Sequence, residues 1–109
     1  MTYNLALAER LRNQMVKLNA VEKKMFGGIG FLIDGNMVCG VHGDNLIVRV
    51  GPDRYEEILT HPLAKPFDMT GRPMTGWIEV LPTGSSREVD LGGWIRAGLD
   101  YVVTLPPKK

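Results

Sequence analysis

The sequence predicts an α+β fold of two layers, in which three helices cover one face of an antiparallel sheet. Apolar residues recur at helical spacing in residues 4–19 and 87–104, whereas residues 25–50 alternate with period two. The segments between those alternating runs are short, and short connections join antiparallel strands. The predicted order is α-β-β-β-α-β(β)-α, with four to five strands in a single domain spanning residues 1–109.

The first helix is predicted over residues 4–19. Asn4 is the expected N-cap, because its side-chain oxygen can accept a hydrogen bond from a backbone N–H of the first turn. Apolar residues three or four positions apart form the apolar stripe expected of an amphipathic helix, namely Leu5, Ala8, Leu11, Met15 and Leu18.

Three strands are expected to follow as a meander that begins at Met25. Asp34-Gly35-Asn36 and Gly43-Asp44-Asn45 supply residues that tolerate positive φ, so hairpin turns are predicted at both places. A further strand is predicted at Trp77–Leu81. The residues assigned by alternation to the helix-covered face are Ile29, Met37, Cys39, Val41, Leu46, Val48, Ile78 and Val80.

The remaining helices are delimited by proline and glycine. Pro52 suits the first position of a second helix, which His61-Pro62 should end. Residues 64–76 are predicted to be a loop with at most a short extended piece at Phe67–Met69. Glycines in the third helix, at 92, 93 and 98, weaken it by ~1 kcal/mol each relative to alanine, so packing must hold it.

Composition and charge disfavour several classes of function. With 13 basic and 12 acidic residues the formal net charge is +1, and the sequence has no basic stripe. Direct binding of nucleic acid is therefore not expected. A single cysteine fits a reducing compartment, and charges at Glu9, Arg10 and Arg12 interrupt any signal-peptide core. No apolar run approaches the ~20 residues of a membrane span, so we expect a cytoplasmic protein without a membrane partner.

No catalytic residue, metal site or cofactor is predicted. The glycine run at 27–30 lies within an alternating apolar pattern, which favours close strand packing over a phosphate-binding loop. Cys39 and His42 have zinc-like spacing, but one cysteine and two histidines are too few for a structural zinc site. Residues three apart on a strand also point to opposite faces. Cys39 is therefore expected to be a buried, unreactive core residue.

The face of the sheet turned away from the helices is the main candidate binding surface. Alternation assigns to it Leu32, Val38, His42, Ile47, Arg49, Trp77 and Glu79. This set is unusually apolar for a solvated face, and contiguous exposed apolar surface usually marks an interaction site. The alternative is that the C-terminal helix or the 64–76 loop folds over it.

A second patch adjoins this face at Arg72, Pro73, Met74 and Trp77. An arginine beside a tryptophan can stack on its ring, and both residue types are enriched at binding hot spots. Alternatively, Arg72 holds the loop by bonding backbone carbonyls. The candidate binding residues are Leu32, Ile47, Arg49, Arg72 and Trp77.

Three motifs resemble the N-terminal domain of the TfoX/Sxy proteins, the bacterial competence regulators. They are MFGGIGF at Met25–Phe31, the RVG-P-Y-E pattern from Arg49 to Glu56, and TGRPMTGW at Thr70–Trp77. The resemblance extends from about Leu7 to Leu105 and implies an α+β fold like that of secretion-chaperone-like proteins. It implies no catalytic residues. The longer regulators carry a second, C-terminal domain that this chain is expected to lack, so competence regulation does not carry over directly.

Two functions of different classes follow from these observations. The first is a non-enzymatic regulatory module that binds an unknown protein partner and forms a homodimer in its absence. The second is a small-ligand-binding protein or an enzyme that uses the Gly71–Gly76 loop. The sequence shows no acid–base or metal constellation, which favours the first.

Overall fold

The computed structural model describes residues 3–25, 27–68 and 74–107. Within these residues the chain forms three α-helices and one six-stranded, open, antiparallel sheet. The helices are α1 (Leu5–Met15), α2 (Pro52–Ile58) and α3 (Glu88–Val102). The strands are β1 (Val21–Met25), β2 (Gly28–Ile33), β3 (Asn36–His42), β4 (Asn45–Arg49), β5 (Ala64–Pro66) and β6 (Trp77–Val80). Their spatial order is β1-β2-β3-β4-β6-β5.

The predicted α+β fold and the order of its elements are confirmed, but the sheet has more strands than the predicted four to five. The additional strand is β1, whose sequence VEKKM carries three charged residues and no apolar alternation. A strand at the edge of a sheet does not need a buried face, so periodicity does not reveal it. A short extended piece was predicted at Phe67–Met69, of which Met69 lies outside the described residues; the strand that the structure describes in this segment is β5, at Ala64–Pro66. None of the described helices is long and apolar enough to cross a membrane.

The predicted N-cap of α1 is confirmed, and the helical segment ends close to the predicted residue 19, but its last turn is not α-helical. The Asn4 side-chain oxygen accepts a hydrogen bond from the backbone N–H of Leu7 at 3.0 Å. The α-helix ends at Met15 and tightens into a 3-10 turn at Val16–Leu18. Asn19 then adopts the left-handed conformation (φ 57°), which asparagine tolerates better than most residues and which turns the chain into β1.

The main core lies between the sheet and the helices. As predicted, α1 and α3 cover the face that carries Val48 and Ile78, both of which are fully buried. Its buried members from the helices are Leu7, Ala8, Leu11, Met15, Tyr55, Leu91, Ile95 and Val102. The glycine run at 27–30 serves the packing of this sheet, because a Cβ on Gly28 would lie 2.0 Å from the carbonyl oxygen of Val41.

A β-bulge in β3 decides which side chains face the helices. Phe31 pairs with Cys39, but the next residue, Leu32, pairs with Met37, so Val38 is an extra residue on β3. Val38 and Cys39 therefore both lie in the main core, and Met37 is turned to the opposite face. The sequence-based assignment of Met37 to the helix face and Val38 to the outer face is wrong, because it continued the alternation through the bulge.

Helix α3 comes closest to this bulge at Gly98. A Cβ on Gly98 would lie 2.8 Å from the carbonyl oxygen of Val38 and 3.0 Å from its Cγ1 atom. Those distances are too short for a side chain, so glycine is required for the helix to pack here. Around Gly93, on the same helix, a Cβ would meet no atom within 4 Å.

We predict that Gly98→Ala and Gly93→Ala affect stability differently. At both positions the replacement of glycine by alanine favours the helical conformation by ~1 kcal/mol. Only Gly98→Ala overpacks the interface with Val38, at a typical cost of ~1–3 kcal/mol. The free energy of unfolding, measured by urea denaturation, should therefore be about 1–3 kcal/mol lower for Gly98→Ala than for Gly93→Ala. Equal values for the two variants would contradict the close approach of α3 to the bulge.

Candidate interaction site

A second apolar cluster, which we call the outer cluster, lies on the opposite face of the sheet from the main core. Three of its side chains are buried, and three are half-buried at its margin. The buried ones are Met37, Ile47 and Phe67, and the half-buried ones are Leu32, Met74 and Trp77. The bulge contributes to this cluster directly, because it turns Met37 to this side.

Phe67, in the segment after β5, covers the centre of the outer cluster. The backbone N–H of Phe67 donates to the carbonyl of Trp77 at 3.2 Å, and its carbonyl accepts from Met74 at 3.0 Å. The Phe67 ring also meets the edge of the His42 ring, with centroids 5.7 Å apart. The expectation that Ile47 forms exposed binding surface is therefore wrong, because Phe67 packs over it and leaves it 2% exposed. The alternative, that the 64–76 loop covers this face, is confirmed for the described residues of the loop.

Arg49 lies at the margin of the outer cluster, held between two aromatic rings. Its guanidinium carbon is 5.3 Å from the centroid of the Trp77 ring and 5.4 Å from that of Tyr101. Trp77 is its cross-strand neighbour on β6, while Tyr101 comes from α3. Both distances are within the range of cation–π attraction. The two rings fix the position of a side chain that is half-buried.

The charge of Arg49 has no acidic partner among the described residues. The other described arginines each lie within 4 Å of a carboxylate, namely Arg10, Arg12, Arg54, Arg87 and Arg96. No described residue accepts a hydrogen bond from Arg49, nor from the indole N–H of Trp77 or the hydroxyl of Tyr101. Arginine presents five donors in a planar fork that matches a carboxylate. Arg49 is thus a positioned cation whose donors are available to a ligand.

A separate open cleft of about 680 Å³ lies between α2 with the segment that follows it and α3 with the segment that precedes it. Its wall contains the His61 and Trp94 rings, which meet edge to face with centroids 5.1 Å apart. The indole N–H of Trp94 donates to the carbonyl of Gly84 at 2.9 Å and so fixes the ring. Gly93 lies beside Trp94 and leaves open space where a side chain would project.

Two charged groups of this cleft, Arg87 and Asp90, are paired with each other. Arg87 donates to both carboxylate oxygens of Asp90, at 2.8 and 3.0 Å, and this pairing lowers the pKa of Asp90, with a smaller contribution from His61. The Nδ1 atom of His61 accepts from the backbone N–H of Leu63 at 3.1 Å. Sequence analysis missed this cleft because its lining comes from two parts of the chain, residues 54–63 and 83–97, that are far apart in sequence. The adjacent glycines 92 and 93 beside a tryptophan are the one local signal that pointed to it.

Comparison with protein families gives a match to the TfoX N-terminal domain over residues 14–101. The chain belongs to the TfoX N-terminal domain family. Comparisons with curated proteins and with solved structures gave no match. The family assignment agrees with the motif resemblance, and it covers both the outer cluster and the cleft between α2 and α3.

The structure of this TfoX N-terminal domain brings four of the five predicted binding residues onto one face. Leu32, Arg49 and Trp77 are half-buried at the margin of the outer cluster, and Ile47 is one of its buried members. Arg72 lies outside the described residues, as do Gly71 and Pro73. In the described end of the loop, the Gly76 carbonyl accepts from the backbone N–H groups of Val50 and Gly51, at 2.8 and 3.1 Å. This contact ties the loop to the end of β4 beside Arg49.

Cys39 and His42 do not form a site in this TfoX N-terminal domain. Cys39 is fully buried in the main core, whereas His42 contacts Phe67 on the other face. Among residues 3–25, 27–68 and 74–107, no three histidine, cysteine or acidic side chains are grouped so as to hold a metal ion. Burial raises the pKa of the Cys39 thiol to about 12, because the apolar surroundings disfavour the thiolate.

We predict that Cys39 is chemically unreactive in the folded protein. The thiolate is the reactive form, and a raised pKa together with complete burial suppresses it. A chromogenic disulfide reagent at pH 8 should therefore label the native chain only slowly, and should label one thiol per chain rapidly in 6 M guanidinium. Fast stoichiometric labelling of the native protein would contradict the burial of Cys39.

Proposed function

We propose that this TfoX N-terminal domain is a non-enzymatic, cytoplasmic interaction module related to the bacterial competence regulators. It binds a protein partner through a surface formed by Leu32, Arg49 and Trp77. The observation that carries this proposal is the state of Arg49, which is held between two aromatic rings and lacks an acidic partner among the described residues.

The chemistry of Arg49 defines what the partner presents. A guanidinium that is already stacked on two rings loses less conformational entropy when it binds than a free arginine loses. Its remaining donors form strong, bidentate hydrogen bonds with a carboxylate. The partner therefore offers an aspartate, a glutamate or a chain-terminal carboxylate at this position.

The apolar part of the surface defines the neighbouring contact. Trp77 and Leu32 are half-buried and rest on Met37, Ile47 and Phe67, which form a packed support under them. Tryptophan and arginine that stand on such a support are the residue types that dominate binding energy in interfaces. An apolar side chain of the partner, next to its carboxylate, would pack on Leu32 and Trp77.

Substitution of Arg49 and Trp77 should remove partner binding without unfolding the domain. We predict that Arg49→Lys, which keeps the charge but loses the planar fork, and Trp77→Ala each reduce recovery of the same partner at least tenfold. A tenfold loss of affinity corresponds to about 1.4 kcal/mol of binding free energy, and larger losses to more. The measurement is quantitative mass spectrometry of proteins captured from a lysate of the source cells by the immobilised domain.

Gly93→Leu is the matched control, because it fills the α2–α3 cleft and leaves unchanged the surface formed by Leu32, Arg49 and Trp77, which we call the Arg49 surface. Its captured proteins should match those of the native domain, and circular dichroism should show that all variants are folded. Capture that is the same for native, Arg49→Lys and Trp77→Ala chains would overturn the proposal.

A second candidate function is the binding of a small ligand, now assigned to the α2–α3 cleft instead of the Gly71–Gly76 loop. The volume of about 680 Å³ and the fixed rings of His61 and Trp94 favour it. A ligand in the cleft should change the fluorescence of Trp94, and Gly93→Leu should abolish that change. A response that Gly93→Leu leaves intact would rule out the cleft as the binding site.

A further inference from the structure

The strand β1 forms one edge of the sheet, and no other strand in the described part of the chain lies on its far side. It is first in the strand order, so only β2 pairs with it. The side chains of Val21, Glu22, Lys23 and Lys24 are all exposed. An unpaired edge presents a row of backbone N–H and C=O groups that a further strand can satisfy.

The opposite edge of the sheet is protected against such pairing. The edge strand there, β5, has only three residues, and its last one, Pro66, has no N–H to donate. Pairing of β1 with β5 of another chain would also be heterologous and would leave open edges for continued growth. Pairing of β1 with β1 instead closes on itself as a two-fold dimer.

We propose that β1 pairs antiparallel with β1 of a second copy of this chain, which joins the two sheets across a two-fold axis. Such an axis is perpendicular to the sheet, so opposed residues lie on the same face. Centred on Lys23, this register places Glu22 opposite Lys24 of the partner subunit, and Lys24 opposite the partner's Glu22. On the face that carries Glu22 and Lys24 the strand is thus complementary in charge to itself, with two attractive cross-strand pairs. On the other face Lys23 lies opposite Lys23 of the partner subunit, and the two attractive pairs must outweigh this one like-charge pair.

Contacts within the chain prepare Glu22 for this role. Arg12 on α1 donates to both of its carboxylate oxygens, at 2.6 and 3.0 Å, and so holds the side chain on the helix side of β1. The hydrogen bonds from Arg12, together with the positive charges of Arg12 and Lys24, keep the pKa of Glu22 below its usual value. Lysines on an edge strand normally discourage pairing. Here β1 can pair with a strand that places a glutamate opposite Lys24, as a second copy of β1 does. A strand without a glutamate at that position would leave the charge of Lys24 unpaired.

Apolar surface accompanies the charged edge. Of the six large apolar side chains that are exposed among the described residues, three come from the segment that leads into β1. They are Val16, Leu18 and Val21, which are 65%, 40% and 64% exposed. Val21 is the first residue of β1, and Val16 and Leu18 precede it closely in sequence, so this part of the chain offers exposed apolar side chains in addition to the hydrogen-bonding groups of the strand. This interface is separate from the Arg49 surface, so the two proposals can fail independently.

The test uses the native chain and two charge-reversal variants, Lys24→Glu and Glu22→Lys, with molar mass measured by light scattering. The native chain should show twice the 12.1 kDa monomer mass at high concentration. Either variant alone replaces both attractive pairs by like-charge pairs, so its dimer dissociation constant should rise at least about tenfold. An equimolar mixture of the two variants restores both pairs and should again form a dimer.

Arg96→Glu is the control, because it makes the same change of charge as Lys24→Glu at an exposed site on α3. It should leave the native dimer intact. Three results would overturn the proposal: a native chain that is monomeric at every concentration, a dimer that Lys24→Glu does not weaken, or a mixture of the variants that stays monomeric.

Discussion

The contact between Gly98 and the bulged residue Val38 determines how α3 lies on the sheet. The carbonyl oxygen and one methyl group of Val38 occupy the space that any side chain on Gly98 would need. Glycine is unfavourable in a helix, and its presence here is explained by the gain from bringing α3 against β3 and β4. The same approach brings Tyr101, one turn further along α3, to the end of β4, where its ring contacts Arg49.

The bulge also divides the side chains of the sheet between a core and a binding face. With Val38 as the extra residue, Met37 points away from the helices and joins Ile47 and Phe67. These three side chains support Trp77, and Trp77 and Tyr101 together hold Arg49. One local irregularity in β3 is therefore connected, through direct contacts, to the position of an arginine that has no acidic partner among the described residues.

Much of this fold was predictable from the sequence. The helix-capping Asn4, the turns after β2 and β3, and the glycine and proline punctuation around α2 are local signals, and local signals are read directly. The bulge was not predictable, because Met37, Val38 and Cys39 are all apolar and fit either face. β1 was missed for the opposite reason, since an exposed edge strand carries no apolar pattern.

The candidate site was predicted in part. Alternation placed Leu32, Ile47, Arg49 and Trp77 on one face correctly, because β4 and β6 are regular strands. It did not show that Phe67 covers Ile47, since that contact depends on the path of a loop. Tyr101 could not be linked to Arg49 either, because the two are more than fifty residues apart and meet only through tertiary packing.

The most direct test of this account is the pattern of nuclear Overhauser effects from the methyl groups of Val38 and Met37. The bulge predicts contacts from the Val38 methyls to the α-protons of Gly98, and from the Met37 methyl to Ile47 and Phe67. The reverse pattern, with Met37 near Gly98 and Val38 near Phe67, would show that β3 alternates regularly. The division between core and binding face described above would then be incorrect.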